Sequence, residues 1–181
     1  MNKRQRAKLE RTAYHEAGHA VAAFCQNKKL HKVSIKADQD KGLLGYSRNT
    51  LGIGEAITYS DEDRYLLRVT QEITIMFAGV LAEREHTQGR HNWEGAASDM
   101  HAANDLALRI VSDEECYPYM RWVRVRTRRL IMRRWPAIEA LAQELLVREQ
   151  MTGVEATKLI RQTLYPPLPG DEDLVRRLGQ A

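Results

Sequence analysis

Cysteine is scarce in this chain. Cys25 and Cys116 are the only two in 181 residues, and they form neither a CxxC pair nor the spacing of a disulfide framework. A disulfide-stapled scaffold is therefore excluded, and both thiols are expected to be reduced. An apolar run of membrane-spanning length is missing as well. The longest, Ile73 to Ala82, falls far short of the roughly 20 residues a span needs and sits inside a longer amphipathic pattern. The basic start, MNKRQRAKLERT, has no apolar segment behind it and so does not read as a secretory signal, which makes a cytoplasmic location the expectation. There is no internal repeat, no low-complexity tract and no GxxxxGK[ST] phosphate loop. Charge of one sign is not in large excess either: 28 Lys and Arg against 24 Asp and Glu give a net +4, too modest for a dedicated nucleic-acid binder.

The length suits one domain, and 43% apolar with 29% charged residues is the composition of a globular chain. Apolar residues recur at helical spacing from about Gln5 to Asn27, predicting a first amphipathic helix. Leu30 to Ala37 alternates, and Leu43 to Thr50 is a second extended candidate, so a small hairpin or meander is expected next. Ser60 and Asp63 mark the start of a long helix running to about Glu85. A polar, glycine-punctuated loop follows from about Thr87 to Gly95, then a third helix over Ala97 to Val111. A helix over Tyr119 to Trp135 is expected to be interrupted by Pro136 and resumed from Ala137 to Arg148. Thr152 with Glu155 forms a capping box for a last helix ending near Leu164. The expectation is a mainly helical α+β domain over residues 1–165, with a small β-sheet and C-terminal helices, and a proline-rich tail over 166–181.

The first predicted helix contains His15-Glu16-Ala17-Gly18-His19, an HExxH sequence. Residues four apart share a helix face, so both imidazoles can reach one ion, while Glu16, turned about 100° from His15, can contact a water on that ion and take its proton. Gly18 strengthens this reading. A helix-interior glycine costs about 1 kcal/mol relative to alanine, and close approach of an edge strand or of substrate would supply the reason for it. A catalytic zinc needs a third protein ligand, and position alone leaves His86, His91, Asp99, His101 and Asp105 open. It excludes only the joint use of Asp99 and His101, which lie two apart on a helix and face nearly opposite ways.

The string Ala13-Tyr14-His15-Glu16-Ala17-Gly18-His19-Ala20-Val21 resembles the peptidase domain of the FtsH family of ATP-dependent zinc proteases, family M41. His31-Lys32-Val33-Ser34-Ile35 resembles the strand after that family's catalytic helix and Leu44-Gly45-Tyr46 its Leu-Gly-Tyr strand. Ala78-Gly79 with Ala82-Glu83 resembles its Ala-Gly-Arg-x-Ala-Glu-Glu helix end, and Trp135 to Ile160 its C-terminal helices. Gly95-Ala96-Ala97-Ser98-Asp99 is similar to the segment whose final Asp is the family's third zinc ligand. The resemblance implies zinc held by His15, His19 and Asp99, with Glu16 as catalytic base. It also implies Glu83 behind a ligand imidazole, and Leu44, Gly45 and Tyr46 binding extended substrate. Val80 stands where the family has Arg, Arg84 where it has its second Glu, and Lys36 to Asp40 where it has a Pro-Arg-Gly stretch, so substrate preference is not carried over. Nor is the nucleotide-binding module, and the chain is expected to be a free-standing peptidase domain.

The function expected is that of a zinc-dependent endopeptidase acting on unfolded or flexible polypeptides without its own ATPase. Further copies of the chain or a separate ATPase are its candidate partners. Two alternatives compete with it. One is a dedicated regulatory metallopeptidase that cleaves a single partner protein. The other is a non-catalytic module using Arg121, Arg124, Arg126, Arg128, Arg129, Arg133 and Arg134, interleaved with Tyr119, Trp122 and Trp135, to bind nucleic acid or peptide. The modest net charge favours a solvated helix face or a subunit interface for those arginines over nucleic acid.

Overall fold

The computed structural model describes residues 2–36, 46–49, 62–89 and 97–166. The chain runs α1 (Lys3–Cys25), β1 (Leu30–Ser34), β2 (Tyr46–Asn49), α2 (Glu62–His86), α3 (Ala97–Ala107), α4 (Asp113–Arg148), β3 (Gln150–Thr152) and α5 (Gly153–Leu164). This is the mainly helical α+β architecture expected. The residues after Pro166, which include most of the anticipated tail, lie outside the described residues, as do Ser60, Leu44 and Gly45.

α1 begins at a capping box in which the Asn2 side chain accepts from the Gln5 N–H and the Gln5 side chain accepts from the Asn2 N–H, so two of the helix's orphan donors are satisfied. Its apolar stripe, Ala13, Ala17, Ala20 and Val21, is fully buried against α2, whose Val69, Ile73, Phe77 and Ala78 form the opposing face. Small side chains on α1 let the two axes come close. α2 is long and apolar enough by composition to cross a membrane, but 61% of its most apolar stretch is buried within the protein, as befits the helix that α1, α3 and α4 surround. The carboxylate of Glu72, buried in the middle of α2, is held by the Lys28 ammonium at 3.0 Å, which ties the turn after α1 to this core helix.

Three elements depart from the sequence expectation. Pro136 does not interrupt its helix: α4 runs unbroken for 36 residues with Pro118 and Pro136 inside it. Pro136 cannot donate to the carbonyl of Met132, a loss worth about 3 kcal/mol in an isolated helix. Ile131 before it and Ala137, Ile138 and Leu141 after it are nevertheless buried in one core cluster, and packing holds both halves on one axis. α3 stops at Ala107 rather than Val111, because Ser112 with Glu115 opens α4 by a capping box. The expected hairpin is part of a larger sheet ordered β2-β1-β3, in which β1 pairs antiparallel with both neighbours and Val33 lies opposite Ser47 on one side and Met151 on the other. The expected Thr152–Glu155 box is present at the start of α5. Gly153 follows it against the β1 backbone, where an added Cβ would lie 1.8 Å from the Leu30 carbonyl oxygen.

Candidate active site

α1 presents His15 and His19 one turn apart toward α2 and α3, and both side chains are nearly buried. The Nε2 atoms lie 2.9 Å from each other, and Asp99 Oδ2, from the first turn of α3, lies 3.0 Å from His15 Nε2 and 3.2 Å from His19 Nε2. The Nδ1 partners decide what these three atoms are. His19 Nδ1 lies 2.8 Å from the Ile75 carbonyl oxygen, which can only accept, so this nitrogen carries the proton and donates it. His15 Nδ1 lies 3.4 Å from Glu83 Oε2, again an acceptor, and Glu83 is buried. With the His19 proton on Nδ1, the lone pair of its Nε2 meets His15 Nε2 and a carboxylate oxygen of Asp99 within hydrogen-bond distance. Asp99 Oδ2 is indeed buried without a hydrogen-bond donor.

Two imidazole nitrogens and a carboxylate oxygen gathered in this way suit a shared cation. A tetrahedral zinc with nitrogen and oxygen ligands at about 2.0–2.1 Å has ligand-to-ligand edges of about 3.3 Å, close to the triangle seen here. The residues therefore fit zinc in chemistry, number and spacing. Among the described residues, His15, His19 and Asp99 are the one group of three His, Cys, Asp or Glu so gathered. The electrostatics agree. Burial alone would lower the pKa of His15, yet the Asp99 and Glu83 carboxylates, with Glu16 nearby, push it up to about 10, and burial of Asp99 is outweighed by the two imidazoles, which hold its carboxyl below the usual range. Positive charge is favoured at this spot.

Glu16 is 4% exposed, its Oε2 has no hydrogen-bond partner, and burial pushes its carboxyl above the usual range against the pull of both imidazoles. Glu16 thus places a buried, unpartnered carboxylate oxygen on the same helix as His15 and His19.

Of the other sequence candidates, His101 and Asp105 are exposed on α3, and His86 ends α2 with its ring stacked on Tyr14 at 3.7 Å, outside the triangle. His91 lies outside the described residues. Of the substrate-binding candidates only Tyr46 is described, and it opens β2, which borders solely on β1 within the sheet among the described residues. Tyr14 also stacks on Trp135 of α4 at 5.6 Å, and the amide of Gln143 of α4 donates to its phenol oxygen at 3.3 Å, so the residue before His15 is pinned from α2 and α4 at once.

Two glycines shape the site in ways that sequence reasoning did not reach. The neighbour that requires Gly18 is neither an edge strand nor a substrate but α2: an added Cβ would lie 2.5 Å from the Ala78 carbonyl oxygen and 2.7 Å from the Ala82 Cβ. Gly79, one turn beyond Ile75, leaves room for the His19 ring, and its added Cβ would lie 2.4 Å from His19 Nε2 itself. Gly79→Ala is expected to push that ring off the ligand position, weakening zinc binding about tenfold or more while lowering stability by about 1–3 kcal/mol as an overpacked contact. Zinc competition titration with a thermal melt would check it, and unchanged zinc affinity would show that the ring position does not depend on this gap.

Comparison with known proteins gives the same direction. The family model described as peptidase family M41 matches residues 2–114, which include α1, the sheet strands β1 and β2, α2, α3 and the start of α4. The ATP-dependent zinc metalloprotease FtsH 1 of Thermomicrobium roseum is 35% identical over 107 residues, 56% of this chain and 14% of that protein. FtsH 1 of Sphaerobacter thermophilus is 34% identical over 107 residues, 56% of this chain and 14% of that protein, and FtsH of Caulobacter vibrioides is 33% identical over 105 residues, 56% and 15%. The chain thus spans about a seventh of the length of these curated relatives, and the family match ends before most of α4, leaving the likeness of Trp135 to Ile160 outside it. With more than half of its residues matched, and with the HExxH helix, its paired imidazoles and Asp99 inside the matched span, the chain belongs to peptidase family M41.

Proposed function

We propose that this chain is a zinc-dependent endopeptidase that hydrolyses peptide bonds in unfolded or flexible polypeptides without an ATPase of its own. The observation that carries the reading is the triangle of His15 Nε2, His19 Nε2 and Asp99 Oδ2 beside the orphaned carboxylate of Glu16. Zinc, when bound, supplies Lewis acidity that lowers the pKa of water toward roughly 7 and stabilises negative charge on a carbonyl oxygen.

The protein's residues supply the rest. His15, His19 and Asp99 hold the ion, with the Ile75 carbonyl and Glu83 fixing the two rings from behind. Glu16 takes the proton from the attacking water at Oε2 and gives it to the leaving amide nitrogen. Its raised pKa suits it to both halves of that transfer, because a base that is too weak cannot accept and an acid that is too strong cannot wait. An extended substrate adds to the sheet at β2, which Tyr46 opens, since an edge strand offers free backbone donors and acceptors, and Leu44 and Gly45, outside the described residues, belong to the same proposed substrate-binding segment. A cytoplasmic location belongs to the same proposal and is supported by two free thiols, Cys25 and Cys116.

The three relatives are ATP-dependent by name, whereas the 181 residues of this chain contain no phosphate loop. Folded substrates resist unfolding by about 5–15 kcal/mol, so a peptidase without a motor cuts what opens spontaneously. The intact chain loaded with zinc is expected to cleave casein-like or destabilised proteins without ATP, to spare their tightly folded forms, and to lose activity to a chelator and regain it with zinc. Mass spectrometry of fragments from one protein in folded and destabilised forms, with and without ATP, tests this. Equal cleavage of both forms, or a requirement for ATP in the purified chain, would refute it.

A further inference from the structure

The solvent face of α4 carries a pattern that the peptidase reading does not use, and it lies beyond the residues matched to the family. From Cys116 to Ile138 there is not one acidic residue, while seven arginines occur. Val123, Thr127 and Ile131 are buried and anchor one side of this stretch to the core. On the opposite side, Trp122, Val125 and Met132 are 51%, 49% and 50% exposed. Numbered as a heptad, Trp122, Val125, Arg129 and Met132 take successive seam positions at spacings of three and four, and the positions flanking the seam are Arg121, Arg126, Arg128 and Arg133. Those four and Arg129 are exposed, and among the described residues none of the five is paired with a carboxylate. The Arg126 guanidinium lies over the Trp122 ring at 5.1 Å, and Tyr119 stacks on Trp122 from its own helix, so the seam's aromatic is already held in place.

We infer that this face of α4 is a docking surface for a helix of a partner protein, one whose apolar seam is flanked by Asp or Glu and which places an acid opposite Arg129. The apolar stripe is one residue wide with charge directly on both sides. That is the width of a helix-pairing seam, whereas a helix lying in a membrane presents an apolar face of about 100° or more. Phosphates would engage the arginines but have no use for Val125 and Met132, and Trp122 is covered by Arg126 rather than open to a base. A second copy of the chain would set arginine rows against arginine rows, a like-charge arrangement that disfavours self-pairing. An acid-flanked helix satisfies the rows, the stripe and the single charge within it together.

The test uses the intact chain and a synthetic helical peptide of about 21 residues with Leu at its seam, Glu at the flanking positions and one Glu within the seam. Binding is read by fluorescence anisotropy, and mass spectrometry confirms that the peptide stays whole. Saturable binding is expected, weakened at least about tenfold by the double variant Arg126→Glu/Arg133→Glu and recovered when that variant meets a second peptide with Lys on the flank facing residues 126 and 133 and Glu kept on the other. Arg121→Glu/Arg128→Glu repeats the reversal from the other flank should the first variant melt early. Failure of the Glu-flanked peptide to bind, equal binding of the two peptides, or tighter binding to phosphatidylglycerol vesicles or to a DNA or RNA oligonucleotide would overturn the inference.

Discussion

Glu16→Gln is expected to leave one zinc per chain in place and to lower peptide cleavage by about two to four orders of magnitude, the usual contribution of a positioned general base. The reason lies in the division of labour within the triangle. His15, His19 and Asp99 supply the atoms that converge, while Glu16 stands beside them with Oε2 buried and unpartnered. Glutamine has the same shape and fills the same space, but its amide cannot take a proton from water. Because a buried, unpaired carboxylate is costly to the fold, the variant should also melt no lower than the parent. Zinc content by mass spectrometry, turnover of a fluorogenic peptide and a thermal melt read the three consequences separately. Substantial remaining turnover would remove Glu16 from the chemistry.

The second large effect separates Asp99 from His101. Asp99→Ala deletes the one anionic corner of the triangle and leaves two imidazole nitrogens 2.9 Å apart with nothing of opposite charge to bind them to an ion. Changes to groups that merely orient a ligand cost about 10–100-fold in metal affinity, so loss of a ligand should exceed about 100-fold and take activity with it. His101→Ala, at an exposed position on the other side of the same helix, should alter stability by less than about 0.5 kcal/mol and leave zinc binding intact. The reverse pattern in zinc titrations of the two variants would move the ligand to His101. Indifference of both would remove α3 from the site.

The part of the site that was legible in the sequence is the part made by local geometry. Two histidines four residues apart on a helix must face the same way, and the structure places them there. The third ligand was different, because spacing left five candidates and only the likeness of Gly95 to Asp99 to a family segment singled one out. Asp99 reaches the imidazoles through packing of α3 on α2, across 80 residues of sequence or more, and no periodicity encodes such a contact. Gly79 shows the same limit. It was readable as part of a motif, but its role depends on the His19 ring passing 60 residues away in sequence. Gly18, inside a helix, calls for a close neighbour from the sequence alone, and that neighbour is the helix α2.

Pro136 misled for a related reason. Helix propensity describes a helix in water, and α4 is held by Ile131, Ile138 and Leu141 in the core, so the missing hydrogen bond is absorbed by packing. The strand β3 is only three residues long, and its alternation is too brief to register. What identifies it is its pairing with β1, a tertiary fact.

The proposed activity requires an ion held by two imidazoles and a carboxylate, and X-ray absorption at the zinc edge on the intact chain measures that most directly. The spectrum is expected to show one zinc per chain with nitrogen and oxygen neighbours at about 2.0–2.1 Å, outer-shell scattering from two imidazole rings, and no sulfur. A sulfur neighbour at about 2.3 Å, which would assign the ion to Cys25 or Cys116, or zinc content unchanged when His15 and His19 are both replaced by alanine, would contradict it.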